Sequence, residues 1–117
     1  MNLNQMAADI HENAKSKGFY DEPPSFMDRI ALMHSELSEA VEEFRDGHAP
    51  SDERYSAPRD SGGVGAGKPE GIPSEFADVI IRVLDACAYY GIDIERAVTE
   101  KHEYNKTRPV KHGRARL

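Results

Sequence analysis

The 117 residues predict an all-α protein, one domain of four principal helices arranged as a bundle, with a long Gly/Pro-rich loop between the second and the third. Three observations carry that prediction. Apolar residues recur by threes and fours along four separate stretches, which is the spacing of a helix face. Glycine or proline stands just past each stretch, where a helix must stop. No segment alternates apolar and polar residues for long enough to compete as a strand. A chain of this length has room for a single domain, 1–117, and 38% hydrophobic residues supply one modest core.

The first helix is expected over residues 3–17, with Leu3, Met6, Ala7, Ile10 and Ala14 on one face and Gly18 placed to end it. Residues 18–24 then form a connection, because Pro23 and Pro24 forbid an early helix start. Ser25 is the N-cap of the second helix, and Asp28 three residues on makes a capping-box-like pair. Phe26, Ile30, Met33, Leu37, Val41 and Phe44 form its apolar seam, and Gly47 closes it. From 47 to 71 the apolar period vanishes among Pro50, Pro58, Gly62, Gly63, Gly65, Gly67 and Pro69. A loop this long in a compact domain is functional or disordered, and mobility is expected here. The third helix begins at Pro73 or Ser74 and ends at Tyr90, ahead of Gly91. Asp93 caps the fourth, which runs through Ile94, Ala97 and Val98 towards Thr107 and stops at Pro109. Residues 109–117 make a short basic tail.

Charge narrows the function. A net charge of −6, from 21 acidic against 15 basic residues, disfavours a nucleic-acid partner, since phosphate backbones reward a basic footprint. A small phosphate-bearing ligand stays open, because a bound cation reverses the local sign of a site. The single cysteine, Cys87, excludes an intramolecular disulfide and reads as a buried small hydrophobe. No run approaches the roughly 18 apolar residues of a membrane span, and the first nine residues lack a signal-peptide layout. A cytoplasmic protein without a membrane partner is expected.

On a helical wheel Glu36, Glu39 and Glu43 fall within an arc of about 60°, off the apolar seam of the second helix. Such a stripe alone is usually a solvated face. The third helix changes that reading. Glu75, Asp78, Arg82 and Asp85 share an arc of about 80°, and almost everything else from Phe76 to Tyr90 is apolar. Carboxylates on an otherwise apolar helix must be paired, protonated or bound to a cation. Arg82 can neutralise one neighbour but not two facing rows. If the rows face each other they make an oxygen cage suited to Mg²⁺, with Mn²⁺ as a substitute. The inward stripe of the fourth helix continues from Ile94, Ala97 and Val98 to Lys101, Asn105 and Arg108, a donor set suited to a polyphosphate.

Ser35-Glu36-Leu37-Ser38-Glu39 followed by Glu75-Phe76-Ala77-Asp78 resembles the split acidic signature of the MazG-like nucleotide pyrophosphohydrolases, within the all-α NTP pyrophosphohydrolase superfamily. The likeness extends to residues 17–23 and 101–109 and covers most of the chain outside the Gly/Pro-rich loop. It implies the MazG-like fold, Glu36, Glu39, Glu75 and Asp78 as metal ligands, and Lys101, Asn105 and Arg108 as phosphate contacts. Two departures stand out. Ser35 replaces the first glutamate of the family's opening pair, so one metal site is expected to be weaker or to be completed by Glu43 or Asp85. The separation between the acidic halves is also longer than usual.

The activity expected is Mg²⁺-dependent hydrolysis of a nucleoside or deoxynucleoside triphosphate between the α- and β-phosphates, releasing a monophosphate and pyrophosphate. Glu39 or Glu43 would orient or deprotonate the attacking water. Narrower superfamily activities, on dUTP, dCTP or phosphoribosyl-ATP, are the alternative within the enzyme class. A non-enzymatic helical interaction module is the alternative outside it. A di-iron carboxylate bundle is disfavoured, since no Glu is followed three residues later by His. Phe19, Tyr20 and Tyr104 read as packing rather than as a base platform. The third helix is too apolar for a chain this small to cover, so a homodimer or homotetramer is expected.

Overall fold

Residues 1–56 and 67–110 are described by the computed structural model. Residues 57–66 of the expected mobile loop and 111–117 of the basic tail lie outside the described residues. The protein is mostly helical: α1 (Leu3–Ser16), α2 (Phe26–Arg45), α3 (Ile72–Tyr90) and α4 (Ile94–Lys106). Between α2 and α3, β1 (Arg54–Tyr55) and β2 (Pro69–Glu70) pair antiparallel, Arg54 opposite Glu70 and Tyr55 opposite Pro69. This short strand pair lies within the loop expected over 47–71 and was not among the expected elements. Two-residue strands are too short to show any alternation, so the sequence carries no trace of them.

Local chemistry sets the helix starts. Asn2 and Gln5 form a reciprocal capping box at α1, the Asn2 side chain accepting from Gln5 N at 2.9 Å and Gln5 Oε1 from Asn2 N at 2.8 Å. Ser25 Oγ accepts from Asp28 N at 3.1 Å, and Asp93 Oδ1 from Arg96 N at 3.1 Å. At Ser25 only this one bond forms, without the reciprocal half. Among the described residues no side chain caps α3, which starts at Ile72, one or two residues earlier than expected, with Pro73 in its first turn. Gly91, at φ 70°, ends α3 in the left-handed conformation that side chains resist.

α3 is the central element and packs against both α1 and α2. The residues buried there are mostly small: Ala7, Ala40, Ala86 and Cys87, with Ile72 and Leu84. α4 docks by its start on the start of α1. Leu3 N donates to Glu95 Oε1 at 2.9 Å and Asn4 Nδ2 to Asp93 Oδ1 at 2.8 Å. No residue of α4 is buried, and Val98 is 48% exposed, so its expected inward face is not covered among the described residues.

The orientation of α2 also departs from expectation. Its buried residues are Arg29, Glu36 and Ala40, while Phe26, Leu37, Val41 and Phe44 of the apolar seam are 45–62% exposed. The buried stripe lies roughly 70° around the helix from the seam. α2 therefore turns its polar side towards α3. No helix among the described residues is long and apolar enough to cross a membrane.

Candidate metal centre

Because α2 presents this polar face, Glu36 meets the acidic stripe of α3. One carboxylate oxygen from each of Glu36, Glu75 and Asp78 lies within 4.8 Å of the other two. Spacing by three places Glu75 and Asp78 on one face of α3, one turn apart. Glu36 is buried, and Glu75 and Asp78 are half-buried. Arg82, one further turn along, donates Nε to Glu36 Oε1 at 3.0 Å. Glu75 Oε2 is buried and has no hydrogen-bond partner among the described residues.

The electrostatic consequence is large. Burial, together with the neighbouring Glu39, Asp78 and Glu36 carboxylates, pushes Glu75 up to about 7. Asp78 is raised as well, by burial first and then by Glu36, against the opposing pull of Arg82. These are the marks of too much negative charge in too little water. One guanidinium serves four carboxylates, and a proton or a cation must supply the difference. The donors are all hard oxygens. An octahedral Mg²⁺ holds such atoms at about 2.0–2.1 Å, which brings ligand pairs to roughly 3–4 Å from each other. The observed spread therefore fits a cation after a small contraction. Glu36, Glu75 and Asp78 would hold it directly, and Glu39, the cause of much of the shift at Glu75, stands beside them.

These residues border one cleft of about 460 Å³, whose far wall is β2 and the residue before it. Glu43 borders it too, but its carboxylate is taken: Arg54 Nη2 donates to both oxygens, at 2.8 and 3.0 Å, and His48 Nε2 lies at 3.6 Å. Hydrogen bonding to Arg54 holds Glu43 below the usual carboxylate range.

Asp85 belongs to a different cluster. Its Oδ1 lies 2.9 Å from His11 Nδ1, and its Oδ2 accepts from the Tyr20 hydroxyl at 2.6 Å. Arg29, 5% exposed, donates Nη1 to that hydroxyl at 2.9 Å and packs its guanidinium over Tyr89 at 4.5 Å. Burial and the bond to Asp85 push Tyr20 up to about 12. This cluster pins α1, the following loop and α2 to α3. Arg29 was invisible as a core residue in the sequence, where a cation just inside a helix start reads as surface.

A second cavity, of about 390 Å³, opens on the other side of Glu36 and Asp78 and is walled by Ile10, Asn13, Phe19, Tyr20 and Leu32. The α4 stripe is elsewhere. Lys101 and Asn105 are exposed and Arg108 is half-buried; Lys101 and Arg108 lie 5.7 and 5.6 Å from the Tyr104 ring. None of the three borders either cleft that holds the acids.

Compared with known protein families, with curated proteins and with solved structures, the chain matches none.

Proposed function

We propose that the protein is a Mg²⁺-dependent nucleoside triphosphate pyrophosphohydrolase of the MazG-like kind, with Mn²⁺ as a substitute metal. The observation that carries this reading is the approach of Glu36, Glu75 and Asp78 from two helices to within 4.8 Å of each other, with a buried Glu75 oxygen unpartnered. These residues, with Glu39, are also the ones that carry the family resemblance. When bound there, Mg²⁺ supplies charge compensation for phosphate oxygens and acidity for a coordinated water.

The chain's own residues do the rest. Glu36, Glu75 and Asp78 anchor the charge-compensated end of the substrate. Arg82 holds the Glu36 carboxylate in place through its 3.0 Å bond. Glu39 borders the cleft outside the three-carboxylate cluster and is the group placed to orient and deprotonate the attacking water. Glu43, committed to Arg54, is an anchor for the hairpin and not the base. The cavity walled by Ile10, Asn13, Phe19 and Leu32 shares Glu36 and Asp78 with the acidic cleft, which gives a nucleoside moiety room beside its phosphates.

The exposed seam of Phe26, Leu37, Val41 and Phe44 on α2, with Phe76 and Ile80 on α3, supports a homodimer or homotetramer in which a second copy covers these faces. A phosphate-binding role for Lys101, Asn105 and Arg108 then requires that neighbouring copy. Incubating the protein with Mg²⁺ and a panel of nucleotides tests the activity. The expected products are a monophosphate and pyrophosphate, lost in Glu75→Ala and Asp78→Ala while helicity persists. Orthophosphate as the product, or activity surviving both changes, would remove the reading.

A further inference from the structure

Among the described residues, the acidic cleft has one lysine or arginine on its rim. Lys68, the residue before β2, borders both that cleft and the adjoining cleft of about 380 Å³ beneath β1. Eight carboxylate side chains border the acidic cleft, and no other Lys or Arg does among the described residues. The other nearby cations are occupied: Arg82 by Glu36 and Arg54 by Glu43. Lys68 forms no ion pair among the described residues, although acids surround the cleft it borders.

Its backbone, by contrast, is fixed. Lys68 N donates to Ser56 Oγ at 3.1 Å, and Ser56 N donates to Lys68 O at 3.0 Å. Glycine on either side makes this close approach possible. A Cβ at Gly67 would overlap the Ser56 carbonyl oxygen, and one at Gly71 would overlap that of Asp52. The hairpin is tied to α2 by the Arg54–Glu43 pair and to α3 by Ser74 Oγ donating to Pro69 O at 3.1 Å. A support held by these bonds thus places Lys68, which has no ion-pair partner among the described residues, at the edge of an acid-rich cleft.

We infer that Lys68 is a phosphate-binding residue, its ammonium gripping the outer phosphates of a metal-chelated triphosphate seated in the acidic cleft. This rests on the metal-triphosphate reading given above. A triphosphate entering among eight carboxylates is repelled except where a cation intervenes. The metal end lies against Glu36, Glu75 and Asp78, and phosphate oxygens reaching the rim need a separate positive donor. A lysine, a point charge on a flexible stem, suits a chain of phosphates that must also leave as product.

Inorganic tripolyphosphate with Mn²⁺ tests this on the full chain, because it carries the phosphates without a base. Titrations of Mn²⁺ alone and of tripolyphosphate in saturating Mn²⁺ are compared for the wild type, Lys68→Gln, Lys68→Arg and Lys106→Gln, the last removing an equal charge from α4. The expected result is Mn²⁺ affinity within about twofold throughout and a loss of about tenfold in tripolyphosphate affinity in Lys68→Gln alone. Lys68→Arg restores most of it. Tripolyphosphate affinity in Lys68→Gln within twofold of wild type, while the wild type binds both ligands, overturns the inference and spares the metal centre. An equal loss in Lys106→Gln overturns it as well, by assigning the effect to net charge. A wild type that binds neither ligand overturns both readings.

Discussion

Glu75 sits where burial and three neighbouring carboxylates act in the same direction, and its response to pH follows from that. An acid whose folded pKa is raised, here to about 7 from an ordinary 4.5, binds more protons folded than unfolded. Below about pH 4.5 the group is protonated in both states and stability is unaffected. As pH rises from there through 7, the folded state loses stability, on the order of 2 kcal/mol once the part exposure of the site is allowed for. Metal-free protein is therefore expected to show a falling urea midpoint over that window, a fall that Glu75→Gln reduces and Mg²⁺ reverses. Asp78, raised for similar reasons, adds in the same sense. For catalysis, Asp78→Ala is expected to lower pyrophosphate release by about 100-fold or more, the scale of losing one electrostatic stabiliser. The circular dichroism spectrum should be unchanged. The positions of Glu36, Glu75 and Asp78 were legible in the sequence because helical spacing alone puts each on an acidic stripe. The partners of Asp85 were not, since His11 and Tyr20 are 74 and 65 residues away along the chain. Nor was the capture of Glu43 by Arg54, which depends on where a loop residue folds.

Among the elements, α2 and α3 are the ones whose ends and faces decide the site. Ser25→Ala removes the one side-chain bond at the start of α2 and is expected to cost about 1 kcal/mol. Gly91→Ala forces a side chain into a left-handed φ and is expected to cost a similar amount. Chemical denaturation measures both. The hairpin is the element that joins α2 to α3 across the cleft. In Arg54→Ala, amides of residues 54–56 and 68–70 are expected to exchange faster with solvent while those of the helices do not. Helix boundaries could be read to within a residue or two, because caps and glycines mark them locally. Which side of α2 faces inward could not. A seam of Phe26, Leu37, Val41 and Phe44 is an instruction to bury that face, and the sequence does not say whether against the same chain or another.

For the molecule as a whole, this ambiguity becomes a statement about assembly. Among the described residues no large side chain is fully buried, and the Cα radius of gyration is 17.2 Å, against about 13 Å for a compact chain of this length. Among the described residues, apolar faces of α2 and α3 stay exposed. Light scattering is expected to give a mass at least twice the 13.0 kDa of one chain. Val41→Glu with Phe44→Glu should lower it by placing charge in that contact. The mostly helical class and the candidate acidic centre between α2 and α3 were readable from periodicity and charge. The position of the α4 stripe was not, because α4 is fixed to the start of α1 through Glu95 and Asp93, and nothing local reports that.

On the proposed reading a divalent cation sits between the two acidic rows. Calorimetric titration of the wild type and of the double variant Glu75→Gln/Asp78→Asn with Mn²⁺ at pH 6.5 addresses this directly. Saturable binding with release of protons in the wild type, absent from the variant, is the expected outcome. No saturable binding in the wild type, or equal binding in both proteins, would show that the carboxylates meet for some other reason.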